Sequence, residues 1–305
     1  MYKYNGLSEN LISVFGEKVY KLSLDGGMTC PNRDGTLSYG GCIFCSDGGS
    51  GEFAEPFCDD IGLQIERAKE KVKFKAKSKY IAYFQNFSNT YGEPRFLKKI
   101  FTAAISHPDV VALSIATRPD CLGTEVLNVL KDLNKIKPLY VELGLQTIHD
   151  KTAKFINRGY DLVVYLKAVE ELKKIGINVV THLILGLPGE TEQMILESVR
   201  LVGQLTDGIK LQNLQVLKGT ELERLYNLGQ VKVLDKEEYL DLLCKCIKIL
   251  PPNVVIHRLT GDPPKKILVA PQWCANKKDT LNSIRRAFSL QNVVQGDDSD
   301  DEFRL

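Results

Sequence analysis

Six apolar runs rich in Val, Ile, Leu and Tyr recur along this chain, and the stretches between them repeat their apolar residues with helical period. The runs are Val19 to Leu24, Tyr80 to Phe87, Val110 to Thr117, Leu139 to Leu145, Asn178 to Leu185 and Ile209 to Leu217. Helices are expected at 59–77, 93–106, 123–136, 161–175 and 191–204. Strands that alternate with helices build a parallel sheet, because a parallel neighbour is reached only through a long crossover. An open doubly wound sheet and a partial barrel both fit that pattern. Strands covered on both faces are nearly all apolar. These instead carry Ser23, Gln85, Glu142 with Gln146, His182, and Lys210 with Gln212 near their ends. Burying such groups without partners is costly. They are therefore expected to line a wet lumen at the C-terminal mouth of an α/β partial TIM barrel of about six strand-helix units.

Beyond the sixth run, residues 221–249 and 277–288 read as helical and Val254 to Leu259 as a strand. The expected organisation is a partial barrel over 1–220, an α/β extension packed on it over 221–292, and an acidic disordered tail over 293–305. The first residues lack the apolar core of a signal peptide and no apolar run is long enough to span a bilayer, so a cytoplasmic protein without a membrane partner is expected. The net charge of +2 excludes a protein that is basic overall. Positive charge is nevertheless crowded between Arg67 and Lys79. Lys71, Lys73, Lys75, Lys77 and Lys79 are either a solvated face or contacts for a polyanion such as RNA.

Eight cysteines without a secretion signal are expected to remain thiols or metal ligands. Directly after the first run comes a Gly-rich loop with Cys30-Pro31-Asn32-Arg33 and then Gly41-Cys42-Ile43-Phe44-Cys45, spaced C-x11-C-x2-C. Three thiolates from one loop suit an iron–sulfur cluster that keeps one iron open to the amino and carboxylate groups of a ligand. A rival reading adds Cys58 to close a structural zinc site, although neither Cys30 nor Cys58 has a close cysteine partner as zinc knuckles do. Cys121, Cys244, Cys246 and Cys274 read as packing thiols.

With its Cys-Pro-Asn-Arg and Gly-Cys-Ile-Phe-Cys, this loop resembles the radical S-adenosylmethionine (SAM) superfamily, in the branch similar to the catalytic subunit of Elongator and its bacterial YtqA/YhcC (MnmL-like) subgroup. The resemblance implies a [4Fe–4S] cluster on Cys30, Cys42 and Cys45, with Phe44 against the adenine of SAM. Gln85 and Asn89 stand where the superfamily places a Gly-Gly-Glu stretch that is absent here, and would meet the methionine amino group. Arg118, Glu142 and Gln146 match contacts to the ribose and carboxylate; a ribose would give a buried Glu142 the partners it needs. His182 to Thr191 contains Gly186 and Gly189, which would let backbone approach SAM, and Thr191, which would cap the next helix. His182 and Tyr91 are candidate catalytic residues, and Tyr39 and Tyr160 candidate radical relays.

The resemblance implies one-electron reduction by a partner such as flavodoxin or ferredoxin, cleavage of SAM to a 5′-deoxyadenosyl radical, and action on the C5 side chain of the wobble uridine of tRNA. With no acetyltransferase-like stretch in these 305 residues, it implies maturation of an existing side chain, carboxymethylaminomethyluridine to aminomethyluridine. A methyltransferase acting on that product is the downstream partner it suggests. Lys265, Lys266, Arg285 and Arg286 would join the lysine run on phosphates. Two alternatives remain open: the same chemistry on a small metabolite or porphyrin precursor, and a non-catalytic zinc-stabilised RNA-binding module.

Overall fold

The computed structural model describes residues 3–49, 51–74 and 78–298. Strands β1 (Val19–Leu24), β2 (Lys79–Phe84), β3 (Val110–Thr117), β4 (Leu139–Gln146), β5 (Asn178–Leu185) and β6 (Gly208–Asn213) pair in chain order, all parallel. Three short strands follow the expected order less simply. The sixth run breaks at Leu214, so that β7 (Val216–Leu217) leaves the sheet, while β8 (Val255–Arg258) from the C-terminal extension adds a seventh parallel strand beside β6. β9 (Leu268–Ala270) pairs antiparallel with β7 as a separate ribbon. The sheet is a curled α/β half-barrel, the partial TIM barrel that the alternation predicts.

Helices α1 (Leu7–Phe15), α2 (Ile61–Glu70), α3 (Pro94–Ser106), α4 (Thr124–Asn134), α5 (Asp150–Phe155), α6 (Leu162–Lys174), α7 (Glu192–Leu205), α8 (Glu221–Asn227), α9 (Lys236–Ile249) and α10 (Lys277–Leu290) complete the described chain. Side chains start several of them. Asp60 caps α2, Thr191 caps α7 by accepting from Met194 N at 3.3 Å, and Asp235 with Glu238 closes a capping box on α9. Helices α3, α4, α6 and α7 press apolar stripes onto the strands and α9 packs on α7 and α10, with Phe101, Leu130, Leu172, Val199 and Leu243 fully buried. None of the described helices is long and apolar enough to cross a membrane.

Two elements depart from expectation. The first expected helix, 59–77, is helical only over Ile61–Glu70, and Lys75 and Lys77 lie outside the described residues. Helix α1, which sequence periodicity does not announce, contacts both edge strands, β1 and β8, and buries Leu11 against Val19, Ile81 and Ala112. It fills the gap that an open seven-stranded sheet leaves at its base. Residues just before it seal the seam: Ile256 of β8 donates its N–H to Asn5 O at 2.7 Å, and Asn5 N donates to the side chain of Gln295 at 2.8 Å. Of the expected tail, Asp297 and Asp298 follow that contact; residues 299–305 lie outside the described chain.

Candidate active site

Many of the residues singled out above meet in one place. Cys30, Cys42, Cys45, Phe44, Gln85, Arg118, Glu142, Gln146 and His182, with Tyr160, Lys210 and Gln212, line a cavity of about 250 Å³ at the C-terminal ends of the strands. The cysteine loop is held there by a second loop. Asn32, fully buried, donates to Asn157 O at 2.5 Å and lies 3.7 Å from Cys42 Sγ. Asn157 in turn donates to Gly41 O at 2.8 Å, and Ile43 N to Ile156 O at 3.1 Å. Gly41 adopts φ +82°, where a Cβ would stand 2.8 Å from Arg33, so only glycine allows Arg33 to fold back and donate to Cys45 O at 3.0 Å.

Beneath that loop lies a layer of arginine and tyrosine. Arg158 is fully buried and donates to the carbonyls of Leu145, Thr147 and Tyr160, fixing the end of β4. Arg118 forms a two-pronged pair with Asp120 at 2.9 and 2.7 Å and donates to Arg158 O at 2.8 Å. The Tyr160 ring sits between the two guanidinium groups, 5.0 and 4.4 Å away, and its hydroxyl donates to Gly144 O.

The lumen below is charged but satisfied from within. Glu142 is fully buried; one oxygen accepts from Lys21 at 2.5 Å and Ser114 at 2.6 Å, the other from His182 at 2.8 Å and Lys210. Lys210 also donates to Tyr83 OH at 3.0 Å, and both lysines lie over the Tyr83 ring. The partners that a buried carboxylate requires thus come from the protein, and the wet lumen expected from the strand polarity is a network of mutually paired side chains. Burial works against the Glu142 carboxylate, yet Lys21 and Lys210 hold it well below the usual carboxylate range. Burial, then the Lys210 charge, pulls His182 down to about 4, so its imidazole is neutral.

Other expected residues stand elsewhere. Asn89 ties the turn after β2 to Ala116 O at 2.9 Å, and half-buried Tyr91 bonds Thr36 at 2.8 Å on the outside of the cysteine loop. Neither lines the cavity, nor do Ser23, Gly186, Gly189 and Tyr39. Gly186 has φ +86° and a Cβ there would meet Leu234 at 2.8 Å, so the site demands glycine for packing against the C-terminal extension. Lys71 pairs with Glu55, Lys73 with Glu70, and Lys79 with Phe15 O. Lys79 opens β2, and none of the three lysines lines the cavity. Cys121, Cys244, Cys246 and Cys274 are buried in the packing.

Sequence reasoning placed Lys210 in the lumen without a partner and did not assign site roles to Lys21, Tyr83, Arg158, His257 and Arg258. The available signal was Lys21 and Lys210 inside apolar strands, which demands a carboxylate such as Glu142.

The thiols fit a cluster better than a single ion. Four-coordinate zinc bound by sulfur at about 2.3 Å holds its sulfurs about 3.8 Å apart. Among the described residues, the one set of three or more candidate ligand atoms within 4.8 Å of one another is Glu66, His107 and Asp109, with the Lys69 ammonium between the carboxylates; the loop cysteines do not approach so closely. Cys58, the fourth ligand of the zinc reading, does not line the cavity. Buried Arg33 Nε has no partner among the described residues and would suit a sulfide acceptor. Burial pushes the thiols of Cys42 and Cys45 up, to about 11 and about 12, so loading metal must displace protons.

Three thiols from one loop at the mouth of a parallel half-barrel define an enzyme built around an open-sited iron–sulfur cluster. Residues 30–202 match the Radical SAM superfamily and residues 206–289 the Radical_SAM C-terminal domain, and the chain belongs to the radical SAM superfamily, with a [4Fe–4S] cluster and SAM as cofactors. It is 43% identical over 296 residues to the uncharacterized protein YtqA of Bacillus subtilis, covering 96% of this chain and 92% of that one. It is 31% identical over 163 residues to a tRNA uridine(34) acetyltransferase of Methanocaldococcus jannaschii, covering 52% of this chain and 30% of that one. Its fold is similar to the archaeal Elp3 of Methanocaldococcus infernus, with a TM-score of 0.68 and 20% identity over 90% of this chain and 63% of that one. These relatives place the chain in the Elongator-like branch of the superfamily.

Proposed function

We propose that this enzyme matures the C5 side chain of the tRNA wobble uridine, converting carboxymethylaminomethyluridine to aminomethyluridine. The observation that carries the reading is the position of free positive charge at the cavity mouth. Leu217 lines the cavity, and Lys218 beside it donates its N–H to Ile267 O at 2.8 Å, which brings Lys218 next to Lys265 and Lys266 on the β7–β9 ribbon. All three lysines are exposed, and none has an ion-pair partner among the described residues. Phosphates of an anticodon loop bound there would leave its flanking base at the cavity. The likeness to a tRNA uridine(34) acetyltransferase over 163 residues points to the same class of substrate.

In this reading Cys30, Cys42 and Cys45 hold the cluster, while Phe44, Gln85, Arg118 and Gln146 shape the adjoining space for SAM. When bound, the two cofactors supply reductive cleavage of the sulfonium and abstraction of a substrate hydrogen. An external flavodoxin or ferredoxin supplies the electron. Paired Glu142, Lys21 and Lys210 keep the lumen rigid, and neutral His182 faces the cavity as a hydrogen-bonding group rather than a charge.

The test is anaerobic incubation of the reconstituted enzyme with SAM, dithionite and tRNA from a strain deleted for this chain, followed by nucleoside analysis. Formation of 5′-deoxyadenosine together with aminomethyluridine is expected. Cofactor cleavage with an unchanged nucleoside profile would remove tRNA as the substrate.

A further inference from the structure

Lys210, Arg258 and Glu142 line the cavity. Glu142 is fully occupied by Lys21, Lys210, Ser114 and His182. Arg258 is half-buried, lines the cavity, and has Gln212 Oε1 at 3.1 Å as its side-chain partner. Among the described residues no carboxylate pairs with it. A guanidinium that borders a pocket and meets only a neutral amide retains donors for an anion.

Its placement comes from an irregularity in the last strand of the sheet. Ile209 pairs with Ile256 but Lys210 with Arg258, so His257 is an extra residue in β8. Such a bulge re-aims side chains. Here His257 reaches Lys21, 3.5 Å away, and the next residue, Arg258, meets Gln212 on the same sheet face as Lys210. A Cβ at Gly208 would stand 2.7 Å from the His257 ring, so glycine there makes room for the bulged residue.

The cations beside the cysteine loop are engaged in holding backbone and turn: Arg33 donates to Cys45 O, Arg118 pairs with Asp120, and Arg158 donates to the carbonyls of Leu145 and Thr147. Arg258, whose side-chain partner is the neutral Gln212, keeps guanidinium donors for an acid that enters the cavity.

We propose that Arg258, supported by Gln212 and Lys210, is the subsite for a carboxylate on the substrate, and that this enzyme selects side chains ending in an acid. The proposal rests on the tRNA reading, in which the acid is the carboxymethyl terminus of the wobble side chain. Arg258 is a specificity residue that ranks the acid above its neutral analogues.

The experiment uses the reconstituted enzyme with SAM and no reductant, so that nothing turns over. Dissociation constants are measured for anticodon stem-loops carrying carboxymethylaminomethyluridine or its methyl ester at the wobble position, and separately for SAM alone. The wild type should bind the acid about 10- to 100-fold more tightly than the ester, the range for a hydrogen-bonded charge. Arg258→Gln should lose that preference while binding the ester and SAM as before, and Arg258→Lys should keep part of it. Equal binding of acid and ester by the wild type overturns the proposal without touching the tRNA reading and needs no variant. A preference that survives in Arg258→Gln overturns it as well, and so does weaker SAM binding by that variant, which would give the cation to the SAM carboxylate. Binding of neither stem-loop fails the tRNA reading itself and takes this proposal with it.

Discussion

Lys21 on the first strand and Glu142 on the fourth meet across the lumen at 2.5 Å, joining residues 121 positions apart inside the half-barrel. With Lys210 on the other oxygen, the carboxylate stands between two ammonium groups. Removing its charge leaves both facing each other in a buried site. Glu142→Gln should therefore destabilise the fold by about 3–5 kcal/mol, the usual cost of breaking a buried ion pair. The double change Glu142→Gln, Lys210→Met should recover part of that loss. Urea denaturation of the three proteins measures both effects, and a single variant within about 1 kcal/mol of wild type would mean that the network does not support the fold.

Acid should weaken the protein through His182. Its imidazole is held neutral down to about 4 when folded, whereas an unfolded histidine takes up its proton near 6.5. Between those values the unfolded state binds the extra proton, so stability falls as pH drops from 6.5 towards 4, and His182 has no effect above that window. Its share is on the order of 2 kcal/mol. His257, also depressed by burial, acts in the same direction. Denaturation midpoints at pH 4.5, 5.5 and 7.5 should show a shallower decline in His182→Gln; an identical slope contradicts the assignment.

Iron content separates the cysteines. Alanine at Cys30, Cys42 or Cys45 should abolish the absorbance of the reconstituted cluster near 400 nm and lower bound iron at least tenfold. Cys58→Ala should keep both, since that residue lies outside the cavity. Loss of iron in the Cys58 variant would restore a four-cysteine site.

The two basic regions make opposite predictions for RNA. Reversing charge at Lys218, Lys265 and Lys266 should weaken tRNA binding at least tenfold and flatten its dependence on salt by about 2–3 in the logarithmic slope, one unit per lost phosphate contact. The same reversal at Lys71 and Lys73 should change it less than twofold, because those ammonium groups already hold Glu55 and Glu70. Equal losses from the two sets would mean that the RNA is not held by the lysines beside Leu217.

What could be read in advance follows from the range of the forces involved. The alternation of strand and helix is a local signal, and so was the cysteine loop with Phe44; both needed only neighbours along the chain. Glu142 announced itself as a polar group in an apolar strand, but nothing near it says that Lys21 and Lys210 are its partners. Arg258 depends on a one-residue bulge that no periodicity shows. Helix α1 is nine residues long and begins at Gly6 without a side-chain cap, so it owes its place to the sheet edges it covers. Reading the lysine run needs the opposite charge beside it as well: Glu66 and Glu70 lie three residues before Lys69 and Lys73.

The seam closed by Asn5 and Gln295 bears on solubility. β8 is the last strand of the sheet, and its outer backbone groups would otherwise form a ready template for a strand from another molecule. Asn5 takes the Ile256 N–H, and Gly6 bridges Ile256 in parallel, so a few residues ahead of the first helix blunt the edge. Cutting the chain just before Leu7 would spare every group in the cavity and still leave a protein prone to pair edge to edge with its own copies.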